Sequence, residues 1–233
     1  MDITAERPDQ GLAPSRLGAE LAGLLETRIR AGEQPAGTLL PSERALSEQY
    51  GVSRATVRQA LSELEAKHLI ARRQGRGTTV LGPPSEAADL ASLLAATPPE
   101  VRNAIELRRI VEPEIARLAA QRALPSDLVL LRRALETTSE HLDPEESVRR
   151  DVEFHHLLAR ASRNPLLPAL MEFAAAQTEG ERLASHRTVD RRRTSLAGHR
   201  AILEAVRTGD AEAARAAMDA HLAEVQEIST PGR

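Results

Sequence analysis

Apolar residues recur near helical spacing from Arg16 to Ala31, at Leu17, Leu21, Leu24 and Ile29. Gly32 and the Pro35-Ala36-Gly37 stretch end that first helix. Thr38-Leu39-Leu40 has the make-up of a very short strand. Ser42 is a good N-cap for a short helix carrying Ala45, Leu46 and Tyr50, and Gly51 stops it. Ser53 caps the next helix, which runs to about Lys67 with Val57, Ala60, Leu61 and Leu64 facing inward. The period then changes. Leu69–Arg73 and Thr78–Leu81 are β-capable runs on either side of Gln74-Gly75-Arg76-Gly77, which predicts a hairpin with a glycine-rich tip. Helix, helix, turn, helix, hairpin is the order of a winged helix-turn-helix.

The pattern downstream differs. Residues 82–98 hold Gly82, Pro83, Pro84, Pro98 and small side chains, and read as a linker, partly helical over 86–95. From Pro99 onward, Ala/Leu/Arg/Glu runs break at Pro125, Pro144, Asn164-Pro165, Pro168, Gly180 and Gly209-Asp210. The predicted helices lie at about 99–122, 125–142, 145–162, 165–183, 189–207 and 210–228. Short breaks between long helices predict an antiparallel bundle. The expected architecture is mainly α. A tail at 1–14 precedes a winged helix-turn-helix over 15–81, with a β-hairpin wing. An all-helical effector-binding and dimerisation domain occupies 99–229.

Composition narrows the chemistry. The chain has 233 residues, 28% charged and 41% hydrophobic, a globular balance. Cysteine is absent, so disulfides, thiolate metal sites and cysteine nucleophiles are excluded. Tyr50, Phe154 and Phe173 are the whole aromatic complement, too few for the stacking surfaces that hold single-stranded nucleic acid. No apolar run reaches membrane-spanning length, and the N-terminus lacks the apolar core of a signal peptide, so the cytoplasm is expected.

The net charge of −3 disfavours nucleic-acid binding only when the chain is taken whole. Residues 1–80 hold 11 basic and 10 acidic residues, and residues 81–233 hold 20 and 24. Within 42–77 there are seven basic residues against four acidic ones. An Arg-rich composition accounts for part of this. Its placement is nonetheless what a DNA-binding helix needs. Arg54, Thr56 and Arg58 begin the second helix of the turn, where polar side chains can meet base edges in the major groove. Arg44 sits early in the preceding helix, within reach of phosphate or base. Arg76, between Gly75 and Gly77, can approach phosphate or the minor groove closely.

The ordered string LLPSERALSEQYGVSRATVRQALSELEAKHLIARRQGRGTTV resembles the DNA-binding domain of GntR-family bacterial transcription regulators. The matching residues are Leu40-Pro41-Ser42-Glu43-Arg44, Leu46, Val52-Ser53-Arg54, Thr56-Val57-Arg58, Ala60-Leu61, Leu64, Gly75, Gly77 and Val80. One departure is His68, where the family usually has glycine. The resemblance implies DNA contacts at Arg44, Arg54, Thr56, Arg58 and, through its backbone, Gly75.

In the second half, Asp151 and His155 are four residues apart on one predicted helix, with His199 and His221 on later ones. Three imidazoles and a carboxylate suit Zn²⁺ first, with Mn²⁺, Fe²⁺ or Ni²⁺ as alternatives. A plain helix-surface pair is the competing reading of the first two. The segments IELRRIVEPEIARLAAQRA, RRDVEFHHLLARASRNPLL and GHRAILEAVRTGDAEAARAAMDAHL resemble the FadR C-terminal effector domain. In its metal-binding members the ligands fall at positions matching Asp151, His155, His199 and His221. His156 points elsewhere on the helix, and His68, His141 and His186 lie outside the pattern. The resemblance also implies an inward Arg108 that meets an effector's carboxylate. A pair with Glu112 is the equal alternative. Asn164 is expected to cap a helix or orient a ligand of the site, and Arg191-Arg192-Arg193 to form a solvated loop.

The resulting expectation is a homodimeric regulator that binds a palindromic double-stranded operator and senses a small organic acid at a divalent metal. Two alternatives stay open. One is the same regulator without metal, sensing an acyl-CoA or sugar acid. The other is a helical metalloenzyme with a DNA-binding head, although no convincing pair of general base and transition-state donor stands out.

Overall fold

The computed structural model describes residues 14–73, 77–82, 85–97 and 100–229. The chain divides into two compact units, Met1–Gly82 and Pro83–Arg233.

In the first unit, helix α1 spans Pro14–Arg30, α2 Glu43–Tyr50 and α3 Arg54–Ala66. The caps form where the serines stand. Ser42 Oγ accepts from the Ala45 amide at 3.2 Å and Ser53 Oγ from the Thr56 amide at 3.1 Å. Gly51 ends α2 with a positive φ of 63°. Strands β1, Ile70–Arg73, and β2, Gly77–Val80, pair antiparallel with Ile70 opposite Val80 and Arg73 opposite Gly77. The expected strand at 38–40 is a single bridge, Leu39 to Thr79. The core gathers the inward stripe of α1 (Leu21, Ala22, Leu25) with Leu46, Val57, Leu61, Leu64, Ile70 and Val80. Burial of these apolar faces against one another is what sets α3 at a fixed place beside the wing.

His68 leads from α3 into the wing with φ of 54°. This is the left-handed region, where glycine is free of strain and a β-carbon is not. The turn therefore forms without glycine, at a local cost.

In the second unit the helices are α4 Ser85–Ala95, α5 Val101–Arg122, α6 Pro125–Glu136, α7 Pro144–Ala161, α8 Leu166–Gln177, α9 Glu179–Ser185, α10 Val189–Thr208 and α11 Ala211–Ser229. The stretch read as a linker carries α4, which packs against α8. Helix α6 stops at Glu136, short of the expected 142. Thr137 and Thr138 turn their hydroxyls back onto the carbonyls of Arg133 and Ala134, competing with further helical turns. The helix expected over 165–183 is broken at Thr178 into α8 and α9. Arg191, Arg192 and Arg193 lie in the first turns of α10, capped by Thr188, and not in a loop. Arg192 is buried and donates to the carbonyls of Glu140 and His186. The core runs through Ile115, Leu131, Phe154, Leu158, Met171, Ile202 and Met218. Among the described residues no helix is long and apolar enough to cross a membrane.

Candidate metal centre and DNA-binding surface

The second unit draws its titratable residues inward. Helix α7 is amphipathic, and Asp151 and His155 lie on its buried face, one turn apart beside Phe154 and Leu158. His199 comes from the middle of α10 and His221 from α11. All four are at most 4% exposed. One ligand atom from each can be chosen so that all lie within 4.8 Å of one another. Asp151 Oδ1 is 3.3 Å from His199 Nε2 and 3.6 Å from His155 Nε2, and the two imidazole nitrogens are 3.3 Å apart. The four residues inferred from spacing and resemblance therefore converge.

The packing around them is close. Phe154 stacks on the His199 ring at a centroid distance of 4.3 Å. Gly198 lets α10 pass against His221, since a β-carbon there would lie 2.6 Å from His221 Nδ1. His221 Nδ1 is buried without a hydrogen-bond partner among the described residues. Such an orphaned nitrogen, beside imidazole nitrogens that converge on one carboxylate oxygen, fits a cation-holding centre better than a self-satisfied core.

Other charged groups surround the four. Glu112 on α5 places Oε2 2.6 Å from His155 Nδ1, which directs His155 Nε2 toward the cluster. Arg108 donates from Nε to Glu112 Oε1 at 2.5 Å. The expected pair of Arg108 with Glu112 is thus present, and an effector's carboxylate stays open as the other partner. Arg182, on α9, donates to Asp151 Oδ2. His186 hydrogen-bonds Ser147 Oγ through Nδ1 at 2.7 Å and brings Nε2 to 3.7 Å from Asp151 Oδ1. Arg182 carries no sequence signal for the site, and His186, expected to lie outside the metal pattern, stands beside it. The two are four residues apart, but nothing in that spacing points to Asp151, and only the fold brings α9 to α7. Asn164 lies one residue ahead of the α8 N-cap, Pro165, and its Oδ1 accepts from the Leu166 amide in an Asx turn.

Burial and charge set the protonation states. Burial pushes His199 down to about 4, although Asp151 opposes it. Burial, reinforced by His199 and His155, holds His221 well below the usual imidazole range. These two imidazoles are neutral at pH 7. For His155, burial opposes the charged form, but Glu112 and Asp151 outweigh it and raise the pKa. Burial likewise works against ionised Asp151, and Arg182 with His155 overcomes it, so the carboxylate stays charged.

In the first unit Arg44, Arg54 and Arg58 are exposed. Arg44 pairs with Glu48 at 2.8 Å, and Arg54 stands 4.0 Å from Glu43 with its side chain 69% exposed. Thr56 differs from expectation. It is buried, and its hydroxyl lies 2.8 Å from Ser53 Oγ, so it completes the helix cap instead of standing beside the two arginines. Gly75 and Arg76 lie outside the described residues. Arg72 of β1 hydrogen-bonds Glu43 at 3.2 Å, and its amide donates to Glu65 Oε1. This ties the wing base to α2 and α3.

A capped helix pair bearing exposed arginines, joined to a β-hairpin and followed by a helical unit with a buried His₃Asp cluster, defines a helix-turn-helix transcription regulator with an effector-type domain. Residues 17–80 match the model for bacterial regulatory proteins of the gntR family, and residues 103–224 match the FCD domain. The transcriptional repressor NanR of Klebsiella aerogenes is 33% identical over 227 residues, covering 92% of this chain and 85% of that protein. The transcriptional regulator LutR of Bacillus subtilis is 35% identical, covering 86% and 95%. A solved GntR structure from Streptococcus agalactiae is 27% identical, covers 90% of this chain and 99% of that one, and has a TM-score of 0.41. The chain belongs to the GntR family, in the branch that carries an FCD domain. It is a DNA-binding transcription regulator and not an enzyme.

Proposed function

We propose that this regulator holds one divalent metal on Asp151, His155, His199 and His221, binds a small organic acid there, and in response changes its hold on a palindromic operator. The observation that carries this reading is the convergence of those four buried donors. Three imidazoles and one carboxylate favour zinc, with manganese, iron or nickel as alternatives. When bound, the metal supplies open coordination positions for an acid's oxygen. The chain's own residues do the rest. Glu112 orients His155, Arg108 holds Glu112, and Arg182 holds Asp151 ionised.

On the DNA side, Arg54 and Arg58 read base edges and Arg44 holds phosphate or base, while the wing around Gly75 and Arg76 contacts the backbone. Thr56 supports α3 through its cap. A homodimer follows from the pairing of half-sites. A regulator of this kind works in the cytoplasm, where its DNA lies.

The test is metal analysis of the purified chain, followed by a thermal-shift screen of carboxylic acids on metal-loaded protein. One metal per chain and an acid that stabilises the loaded form while altering operator affinity are expected. Full effector response in metal-stripped protein would instead favour the acyl-CoA or sugar-acid regulator without metal.

A further inference from the structure

The surface that presents Arg54 also carries an acid. Glu43, the first residue of α2, stands between α3 and the wing with its side chain 26% exposed. Its Oε1 accepts from Arg72 Nη2 at 3.2 Å, and its Oε2 lies 4.0 Å from Arg54 Nη2. Arg72 is itself fixed on α3, where its Nη1 donates to Ser62 Oγ at 3.4 Å and its amide to Glu65 Oε1 at 3.1 Å. Arg54, Arg58 and Ser62 are exposed and recur every fourth residue, so they form one stripe of α3, and Glu43 and Arg72 border it.

A carboxylate here works against DNA affinity. It repels phosphate and competes with phosphate for both arginines. A residue that lowers affinity can still raise discrimination, because specificity is a difference between two affinities. The long arginine side chain gives up much rotamer freedom when it makes a bidentate contact with a base edge. One already held on a fixed carboxylate has given up part of it before DNA arrives. Glu43 is such a carboxylate. The Ser42 cap sets its place on α2, and Arg72 holds one oxygen, which leaves the other for Arg54. At 4.0 Å the contact with Arg54 is an ion pair and not a hydrogen bond, so the guanidinium donors stay available to a guanine edge.

We propose that Glu43 is a positioning residue for Arg54: it touches no base, it aligns the Arg54 guanidinium on one guanine, and its charge discourages unselective binding to phosphate. This rests on the reading of Arg54 as a base reader and adds what sets its aim. Because Arg72 carries the other oxygen of the carboxylate, the base of the wing helps to set that aim.

Selection of duplexes from a random-sequence pool by the unaltered full chain defines a preferred site and its base preferences. Repeating the selection with Glu43→Gln, Arg54→Ala and the double variant, and measuring affinity for the preferred site and for a random duplex, tests the proposal. Glutamine keeps the size and an acceptor but not the charge. Glu43→Gln is expected to bind the random duplex about two- to fivefold more tightly. Its selectivity for the preferred site should fall about three- to tenfold, with the loss at the base position that Arg54→Ala relaxes. With Arg54 already removed, the Glu43 change should add no further loss at that position. Arg72→Gln, which frees the carboxylate to turn, should show the same loss in smaller measure, and it carries the test if Glu43→Gln disturbs the fold. Unchanged preference at that position in either folded variant overturns the proposal. So does a loss confined to another position, which would make Glu43 a reader in its own right, and so does full additivity in the double variant. Unchanged base preference in Arg54→Ala defeats the reading of Arg54 itself, and the positioning role with it.

Discussion

Gly198 has no side chain where α10 passes His221, and the proposed ligand set depends on that space. A methyl group built there meets His221 Nδ1 at 2.6 Å and its Cβ and Cγ at 3.2 Å, so the imidazole must move. Gly198→Ala is expected to weaken metal binding at least about tenfold, since a displaced ligand costs on the scale of a lost second-shell partner or more. Competition against a chromophoric chelator checks this; unchanged affinity would mean His221 can ligate from another rotamer. His68 offers the opposite case. It holds φ of 54° with a β-carbon, so His68→Gly should stabilise the first unit by about 0.5–1 kcal/mol, strain relief outweighing the added unfolded-state freedom. Denaturant unfolding decides, and a loss of stability would show the imidazole contributes more than its backbone costs. Arg54, exposed at the start of α3, should on conversion to Ala weaken specific operator binding by about 1–3 kcal/mol and relax preference at one base position. Equal loss on random DNA would make it a phosphate contact. Asp151 and His155 were legible in the sequence because helical spacing puts them on one face. Thr56 was misleading because the same spacing also allows a hydroxyl to turn back onto the Ser53 cap.

Between elements, the clearest tie is that of α1 to the end of α3. Lys67 Nζ lies 2.5 Å from Glu26 Oε2, both buried, and Arg30 bonds the other oxygen of Glu26 at 2.8 Å. Burial alone would raise the Glu26 pKa, but Lys67 and Arg30 overcome it and hold the carboxyl below its usual range. A depressed carboxyl contributes stability that is present above the unfolded-state value of about 4.3 and is lost as pH falls through the folded value. Lys67→Met leaves Glu26 with Arg30 alone and should destabilise the first unit by about 3–5 kcal/mol, whereas Glu26→Leu with Lys67→Met should recover most of that loss. Urea unfolding of the three forms checks this; a double variant as weak as the single would show that the pair is needed for more than charge compensation. Element boundaries were legible where proline or glycine set them, as at Pro125, Pro144 and Gly209. They were not legible at Thr137 and Thr178, where threonine hydroxyls bond back to carbonyls of the same helix. The arginines at 191–193 looked like a solvated run. Arg192 is inside because carbonyls from two other segments receive it, a pairing that sequence periodicity does not carry.

For the molecule as a whole, the proposed ligand set spans α7, α10 and α11, so a metal on it would staple three helices of the second unit. None of those ligands belongs to the core of the first unit. His155→Ala should therefore abolish metal uptake and effector response together while the first unit keeps its fold and some DNA binding. Metal at about 100 times its dissociation constant stabilises by about 2.7 kcal/mol, so chelation should lower the melting temperature by about 5–10 °C. The proton balance adds a sharper test. His199 and His221 are already held neutral by burial, whereas His155 is raised by Glu112 and Asp151. Binding must then strip a proton chiefly from His155. Below its folded pKa the metal competes with that proton, so affinity should rise with pH through and above about 6.5 and level off once His155 is neutral. Calorimetry in buffers of different ionisation enthalpy should find about one proton released per metal in the rising range. Release of two or more would place charged imidazoles at His199 or His221 as well, and pH-independent affinity together with intact uptake by His155→Ala would remove His155 from the ligand set.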